Sequence, residues 1–305
     1  SLLKKYEESI RDFDKAINLD SEYAVYPFYN RGISKYDLKR YEEAIKDFDE
    51  AIRLDHENSA IAFMLSGNAK EELGRYEEAI QDYSKAIDLD NKVSDFFYIR
   101  AVSNESLERY EDALNDINKY IKLAPGDEDG YTFRGNMRND IKKYEVAIKD
   151  FNAAIKINPK FYSAYSSRAI SNYYLERYEE AIKDIDYLIK SGQESYLEYC
   201  IRGCAKSNLG KNKEALKDFD KSISLNPNEK TNFYNRGTEN SNLGKYKEAV
   251  DDFNKAINLD PKYISALIKR GYAYYKLQRF LESIKDYDEA INLDPKNCLA
   301  FINRG

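Results

Sequence analysis

A fifteen-residue pattern returns along the whole chain at an almost constant interval. YEESIRDFDKAINLD at Tyr6, YEEAIKDFDEAIRLD at Tyr41, YEEAIQDYSKAIDLD at Tyr76, YEDALNDINKYIKLA at Tyr110 and YEVAIKDFNAAIKIN at Tyr144 are copies of one unit, and further copies begin at Tyr178, Asn212, Tyr246 and Phe280. The spacings are 35, 35 and then 34 six times. A period of this length marks a linear stack, because each unit can bury its apolar face only against its neighbours.

Within a copy the apolar positions follow a helical period. Three residues in stands a small side chain (Ala44, Ala79, Ala113), seven in a large one (Phe48, Tyr83, Ile117), and eleven in an isoleucine (Ile52, Ile87, Ile121). These offsets share one face of an α-helix. A second helical half precedes eight of the copies, with Gly32, Gly67, Ala101, Gly135, Ala169, Gly203, Gly237 and Gly271 at matching places. Glycine inside a helix costs about 0.5–1 kcal/mol relative to alanine, which close backbone packing against the partner helix offsets. Prolines at 125, 159, 227, 261 and 295 end the second helices. The predicted fold is all-α. Repeats are expected over 25–59, 60–93, 94–127, 128–161, 162–195, 196–229, 230–263 and 264–297, flanked by a second-helix half over 1–24 and the start of a further repeat over 298–305. All of these are read as one solenoid domain.

Composition narrows the functional classes. Charged residues make up 33% of the chain and hydrophobic ones 42%, too dispersed for one large core. With lysines interleaved among acids and a net charge of −6, the concentrated basic surface that nucleic acid requires is missing. No apolar run approaches the roughly 18 residues of a membrane span. Three cysteines, Cys200, Cys204 and Cys298, form no paired framework, so a reducing, cytoplasmic setting is expected. Cys200 and Cys204 are four apart on a predicted helix and could seat half a metal site, but they read as packing residues, and no metal or cofactor is expected.

The pattern of an aromatic, four residues later a glycine, then Tyr, Ala, Phe, Ala and Pro at a 34-residue period resembles the tetratricopeptide repeat family, most completely in FYNRGTENSNLGKYKEAVDDFNKAINLDP, Phe233 to Pro261. The resemblance covers essentially the whole chain. It implies a right-handed superhelical α-solenoid of antiparallel helix pairs, with the first helices lining a concave groove. The chain departs from the family pattern in having no Trp, and in carrying Tyr120 and Leu188 where a small residue is usual late in the second helix. Packing around those two units should differ locally.

A third departure is charged. Where the family has leucine just before the glycine, this chain has Arg31, Arg100, Arg134, Arg168, Arg202, Arg236, Arg270 and Arg304, with Ser66 as the exception. Aspartates Asp12, Asp47, Asp82, Asp116, Asp150, Asp184, Asp218, Asp252 and Asp286 recur with the same period, and a buried guanidinium needs such a partner. Helical-wheel placement predicts that each Asp pairs with the Arg of the following repeat: Asp12 with Arg31, Asp82 with Arg100, and onward to Asp286 with Arg304. Asp47 would then face Ser66 and lack its cation.

Catalytic constellations are absent: the sole histidine, His56, sits in an inter-repeat loop, and no phosphate loop, HExxH or Cys/His cluster occurs. What remains is surface. The family geometry places Tyr26, Tyr29, Ile33, Tyr36 and Asp37 in the groove, with their equivalents along the chain. The first half then collects Asp37, Glu71, Glu72, Asp95, Glu105, Asp129 and Asp140 beside Tyr98 and Asn136. The second half is aromatic, with Tyr173, Tyr174, Tyr234, Tyr272 and Tyr275, and has Lys276 as its cation. The leading expectation is a non-catalytic scaffold binding a protein or peptide segment rich in Lys and Arg. The alternative is a regulatory or self-assembling repeat region of a larger enzyme, with head-to-tail association through incomplete terminal repeats. The Lys and Asn by which some relatives clamp a terminal carboxylate are replaced here by pairs such as Tyr29 and Ile33, so that activity is not expected.

Overall fold

Each repeat half forms one helix, and the breakers fall between them. The computed structural model describes residues 2–19 and 24–305; residues 20–23 of the first expected half-repeat lie outside it. Among the described residues there are eighteen α-helices and no strand. The first helices of the repeats are α2 (Val25–Asp37), α4 (Ala60–Glu72), α6 (Ser94–Ser106), α8 (Glu128–Asp140), α10 (Tyr162–Tyr174), α12 (Tyr196–Asn208), α14 (Lys230–Asn242), α16 (Ile264–Lys276) and the short α18 (Cys298–Arg304). The second helices are α1 (Leu2–Leu19), α3 (Tyr41–Leu54), α5 (Tyr76–Leu89), α7 (Tyr110–Leu123), α9 (Tyr144–Ile157), α11 (Tyr178–Lys190), α13 (Asn212–Leu225), α15 (Tyr246–Leu259) and α17 (Phe280–Leu293).

The chain divides into two compact units, one of Ser1–Lys142 with Lys156–Asn158, the other of Lys143–Ile155 with Pro159–Gly305. In each, sequence neighbours pack as antiparallel pairs. In the second unit α10, α12, α14, α16 and α18 also touch one another in a row, as α2 and α4 do in the first.

The pairs close on small residues. Ala44, Ala79, Ala113, Ala181, Ala215 and Ala249 are fully buried, and beside them Phe48, Tyr83, Ile117, Ile185, Phe219 and Phe253 fill the gap between helices. The first-helix glycines make room for those rings. A Cβ at Gly203 would lie 2.7 Å from the Phe219 ring, and at Gly237 2.9 Å from that of Phe253. Between the first and second helix of each repeat the chain turns through a left-handed residue: glycine at Gly74, Gly210 and Gly244, but Lys39, Glu108, Lys142, Glu176 and Gln278 elsewhere.

Packing is altered at Tyr120 and Leu188 as the sequence predicts, and the structure shows the compensation. The Tyr120 ring occupies the place where a Cβ on Gly130 would stand, 2.6 Å away, and its hydroxyl donates to Asp127. Beside Leu188, α11 ends at Lys190 and a pocket of about 300 Å³ opens toward the buried Glu198, which accepts from the Ser166 and Ser195 hydroxyls.

The arginines pair differently from the expectation. Six of the guanidiniums grip the aspartate sixteen residues ahead, on the second helix of their own repeat: Arg31 holds Asp47, Arg100 Asp116, Arg168 Asp184, Arg202 Asp218, Arg236 Asp252 and Arg270 Asp286. In every case Nε donates to one carboxylate oxygen at 2.8–3.0 Å and Nη2 to the other at 2.6 Å. The predicted pairs Asp12 with Arg31, Asp82 with Arg100, Asp116 with Arg134, Asp150 with Arg168, Asp184 with Arg202, Asp218 with Arg236, Asp252 with Arg270 and Asp286 with Arg304 are therefore replaced. Asp12 instead meets Lys15 at 3.2 Å. The preceding repeat is reached by Nη1, through the residue two places after its aspartate: Asp14 for Arg31, Ser84 for Arg100, Asn118 for Arg134, Asp186 for Arg202, Asp220 for Arg236, Asn254 for Arg270 and Asp288 for Arg304. Two residues are about 200° around a helix, so the aspartate turns inward to its own pair while its second neighbour turns to the next.

Asp47 does not lack a cation either. Besides Arg31 it holds the Lys35 ammonium at 2.7 Å. The repeat without arginine is that of Asp82, whose partner is Lys70 at 2.5 Å. Ser66 is fully buried there with its hydroxyl unpaired.

Candidate binding surface on the first helices

With the ladder arginines held in internal pairs, the candidate surface for recognition is the first-helix face carrying Tyr29, Tyr36 and their equivalents. In the first unit it is acidic. Asp37, Glu72, Asp95, Asp129 and Asp140 are exposed, Glu71 and Glu105 half-buried. Among the described residues none of these seven has a lysine or arginine within ion-pair distance. Two accept hydrogen bonds from tyrosines instead: the Tyr83 hydroxyl lies 2.8 Å from Glu71 and 2.9 Å from Asn68, and that of Tyr41 lies 3.2 Å from Glu72. Burial, reinforced by Glu71, pushes the Tyr83 pKa up, so the phenol stays protonated and donates. Loss of hydration raises the pKa of Glu105, Asp129 and Asp140 from their ordinary values, with Asp140 adding to the rise at Glu105.

Aromatics flank these acids. Tyr29 packs edge-on against Phe48 and Tyr36 against Tyr41, and Tyr98 lies tilted against both Tyr120 and Phe133. A cleft of about 610 Å³ opens between Tyr26, Tyr29, Leu54 and Ile61. Asn136 stands exposed on α8. His56 packs edge-on against Phe63, a structural contact in the loop.

In the second unit the same face is tyrosine-rich. Tyr174 stacks on Tyr144 with centroids 5.0 Å apart and meets Tyr173 edge-on, and Tyr173 in turn meets Tyr178. Tyr234 packs against Tyr263, Tyr272 against Tyr246, and Tyr275 against Phe280. Tyr174, Tyr272 and Tyr275 remain exposed. Burial raises the Tyr173 pKa to about 12, so this face offers neutral rings with hydroxyl tips. It also carries Cys200 and Cys204.

Sequence reasoning missed one class of residue, four positions after the arginine, where Lys35, Lys70 and Lys206 place ammonium groups on the buried aspartates while Asn104 and Asn240 offer amide donors. The signal was present: these residues share the 34-residue period.

Comparison with known proteins agrees with this geometry. Profiles described as tetratricopeptide repeat match residues 29–94, 67–128, 129–161, 199–229 and 264–297, and one described as TPR repeat matches residues 242–278. No match was found among curated proteins. Among solved structures the chain is similar to a tetratricopeptide repeat protein from Parabacteroides merdae, with 21% identity, 82% of this chain and 98% of that one covered, and a TM-score of 0.63. It is also similar to the C-terminal part of a TPR repeat-containing protein from Cytophaga hutchinsonii, at 19% identity, 78% and 98% coverage and a TM-score of 0.61. A third similar structure is YrrB, described as a TPR protein with an unusual peptide-binding site, at 22% identity, 61% and 96% coverage and a TM-score of 0.50. At such identities the likeness is one of fold. The repeat matches together span well over half of the sequence, and the chain belongs to the tetratricopeptide repeat family.

Proposed function

We propose that this protein is a non-catalytic scaffold that binds a Lys- and Arg-rich protein segment along the first-helix face of its first unit. The repeat family and the similar folds support a protein-interaction scaffold, and YrrB has a peptide-binding site on the same architecture. The observation that carries the basic character is the set of seven carboxylates without ion-pair partners, in a molecule whose second-helix aspartates are held by Arg, Lys or Asn. Unpaired acids on one face raise the local concentration of cations and speed encounter with a basic chain. Tyr29, Tyr36 and Tyr98 add rigid contact area at low entropic cost.

The test is titration of a Lys/Arg-rich peptide against the full chain and against the triple variant Glu71→Gln, Glu72→Gln, Glu105→Gln. Loss of three charge contacts is expected to weaken binding by about 1–3 kcal/mol, and raising the salt should narrow the gap between the two proteins. Affinity for the wild type should fall on acidification, with Glu105, Asp129 and Asp140 taking up protons at higher pH than an ordinary Glu or Asp. Equal affinities for the two proteins at low salt would rule out the electrostatic reading.

A further inference from the structure

Cys200 and Cys204 stand one turn apart on α12, at the positions that hold Tyr29 and Ile33 in α2. Both are free and only partly exposed. Asn235, on α14, points its amide at them: Nδ2 donates to the Cys200 sulfur at 3.2 Å. A hydrogen bond to sulfur favours thiolate over thiol.

A second feature adds negative potential. Glu239, on α14, is buried where the other first helices carry a smaller or uncharged side chain such as Ser34, Ala69, Ser103, Ser171, Ala205 or Ala273. One of its carboxylate oxygens accepts from the Ser207 hydroxyl, and the other has no partner. Through Ser207 this carboxylate is held against α12, the helix that carries both cysteines, and its negative charge there favours an incoming cation.

Spacing decides what the pair can do. Residues four apart on a helix have Cβ atoms about 5–6 Å apart, whereas a disulfide needs roughly 3.5–4.5 Å; an intact α12 keeps the two sulfurs from bonding to each other. An atom between them is accommodated, since two metal–thiolate bonds of roughly 2.3 Å span a distance that side chains on adjacent turns reach. Among the described residues no group of three or more His, Cys, Asp or Glu is placed to hold a metal, so the four-ligand arrangement of structural zinc is not available here. Two soft sulfurs without a third ligand suit an ion content with two-fold coordination.

We propose that Cys200 and Cys204 form a two-coordinate thiolate site for a soft d10 cation of the Cu(I) class. Binding forms two sulfur–copper bonds and releases the thiol protons, with no change of oxidation state. Asn235 acts as a positioning residue whose amide steadies the negative charge of the sulfur–copper–sulfur group. The site is independent of peptide binding by the first unit.

The test is anaerobic titration of the reduced full chain with Cu(I) against a chromogenic Cu(I) chelator. One tight equivalent is expected, kept by Cys298→Ser and lost by Cys200→Ser and by Cys204→Ser, with helical content unchanged by circular dichroism. Asn235→Leu should weaken it by about tenfold without abolishing it. X-ray absorption of the copper-loaded wild type, which needs no variant to fold, should show two sulfur neighbours and no others. Tight copper retained by either single-serine variant, loss in Cys298→Ser, absence of binding by the wild type, or a first shell of three or more ligands would each overturn the proposal.

Discussion

Asp47 in α3 and Asp82 in α5 occupy the same place in successive repeats and are both buried, yet Asp47 holds Arg31 and Lys35 while Asp82 holds Lys70 alone. Arg31 also reaches back to Asp14 in the preceding second helix at 2.5 Å. Ser66 reaches nothing, and Asp49, the counterpart of Asp14, is left without an ion-pair partner among the described residues. The difference separates two jobs that one guanidinium performs elsewhere. The buried aspartate is neutralised within the repeat in both cases, and at Asp82 one lysine achieves it. Tying one repeat to the next through this position is optional: at the junction of α3 with α4 no guanidinium does it from there, and apolar packing is joined by the exposed contacts of Tyr41 with Glu72 and of Arg75 with Glu42.

The largest effects should come from cutting inside a repeat. Asp47→Ala strands the Lys35 ammonium and leaves Arg31 with Asp14 alone in a site with little water, and is expected to destabilise the first unit by about 3–5 kcal/mol. Asp82→Ala strands one flexible ammonium and should cost about 1–3 kcal/mol. Urea unfolding of the full chain, followed by hydrogen exchange in α3 and α5, checks both; equal losses would mean that the second cation on Asp47 contributes nothing. The lysines should show the reverse order. Lys70→Met leaves Asp82 buried and unpaired, at about 3 kcal/mol or more, whereas after Lys35→Met the Arg31 fork still holds Asp47 and the loss should be near 1 kcal/mol.

How much of this was legible beforehand follows from which positions the period pins down. The all-α stack, the helix pairs and the small-against-large core could be read from spacing because a 34-residue repeat fixes them eight times over. The arginine ladder and its aspartates were equally visible, but not their pairing. Each second helix presents two polar positions, such as Asp12 and Asp14 or Asp184 and Asp186, on faces about 200° apart, and the wheel does not say which face meets its own partner. Lys35 and Lys70 escaped notice because lysine in a charged helix reads as solvated. The fit of Tyr120 against Gly130 escaped because the compensating glycine occupies no position that the other repeats share. On the proposed binding face the acids and tyrosines were legible as residues. Whether a long lysine side chain reaches those acids is a matter of packing, and the sequence is silent on it.

The smallest expected effect repairs the missing link. Ser66→Arg should place a guanidinium between Asp82 and Asp49, as Arg31 and Arg202 sit between two carboxylates with a lysine alongside. That precedent shows arginine and lysine sharing one aspartate, so Lys70 need not be displaced, and a gain of about 1 kcal/mol is expected. The pH dependence identifies its source. Asp49 keeps part of its surface in water, and desolvation of the rest raises its pKa above the ordinary value, with Asp82 adding to the rise. A carboxyl whose pKa is higher folded than unfolded opposes folding at neutral pH, and that penalty disappears as pH falls through the raised value. With arginine in place the folded pKa should drop below the unfolded one, so the same group then supports folding above the unfolded pKa and loses that support as pH falls through its new, lower value. The stability difference between Ser66→Arg and wild type should therefore be largest at neutral pH and shrink steadily into the acid range, with the Asp49 carboxyl resonance titrating at lower pH in the variant. A difference that stays flat with pH would mean that the arginine acts through its aliphatic stem, and that the repeats are joined by packing whether or not the guanidinium is there.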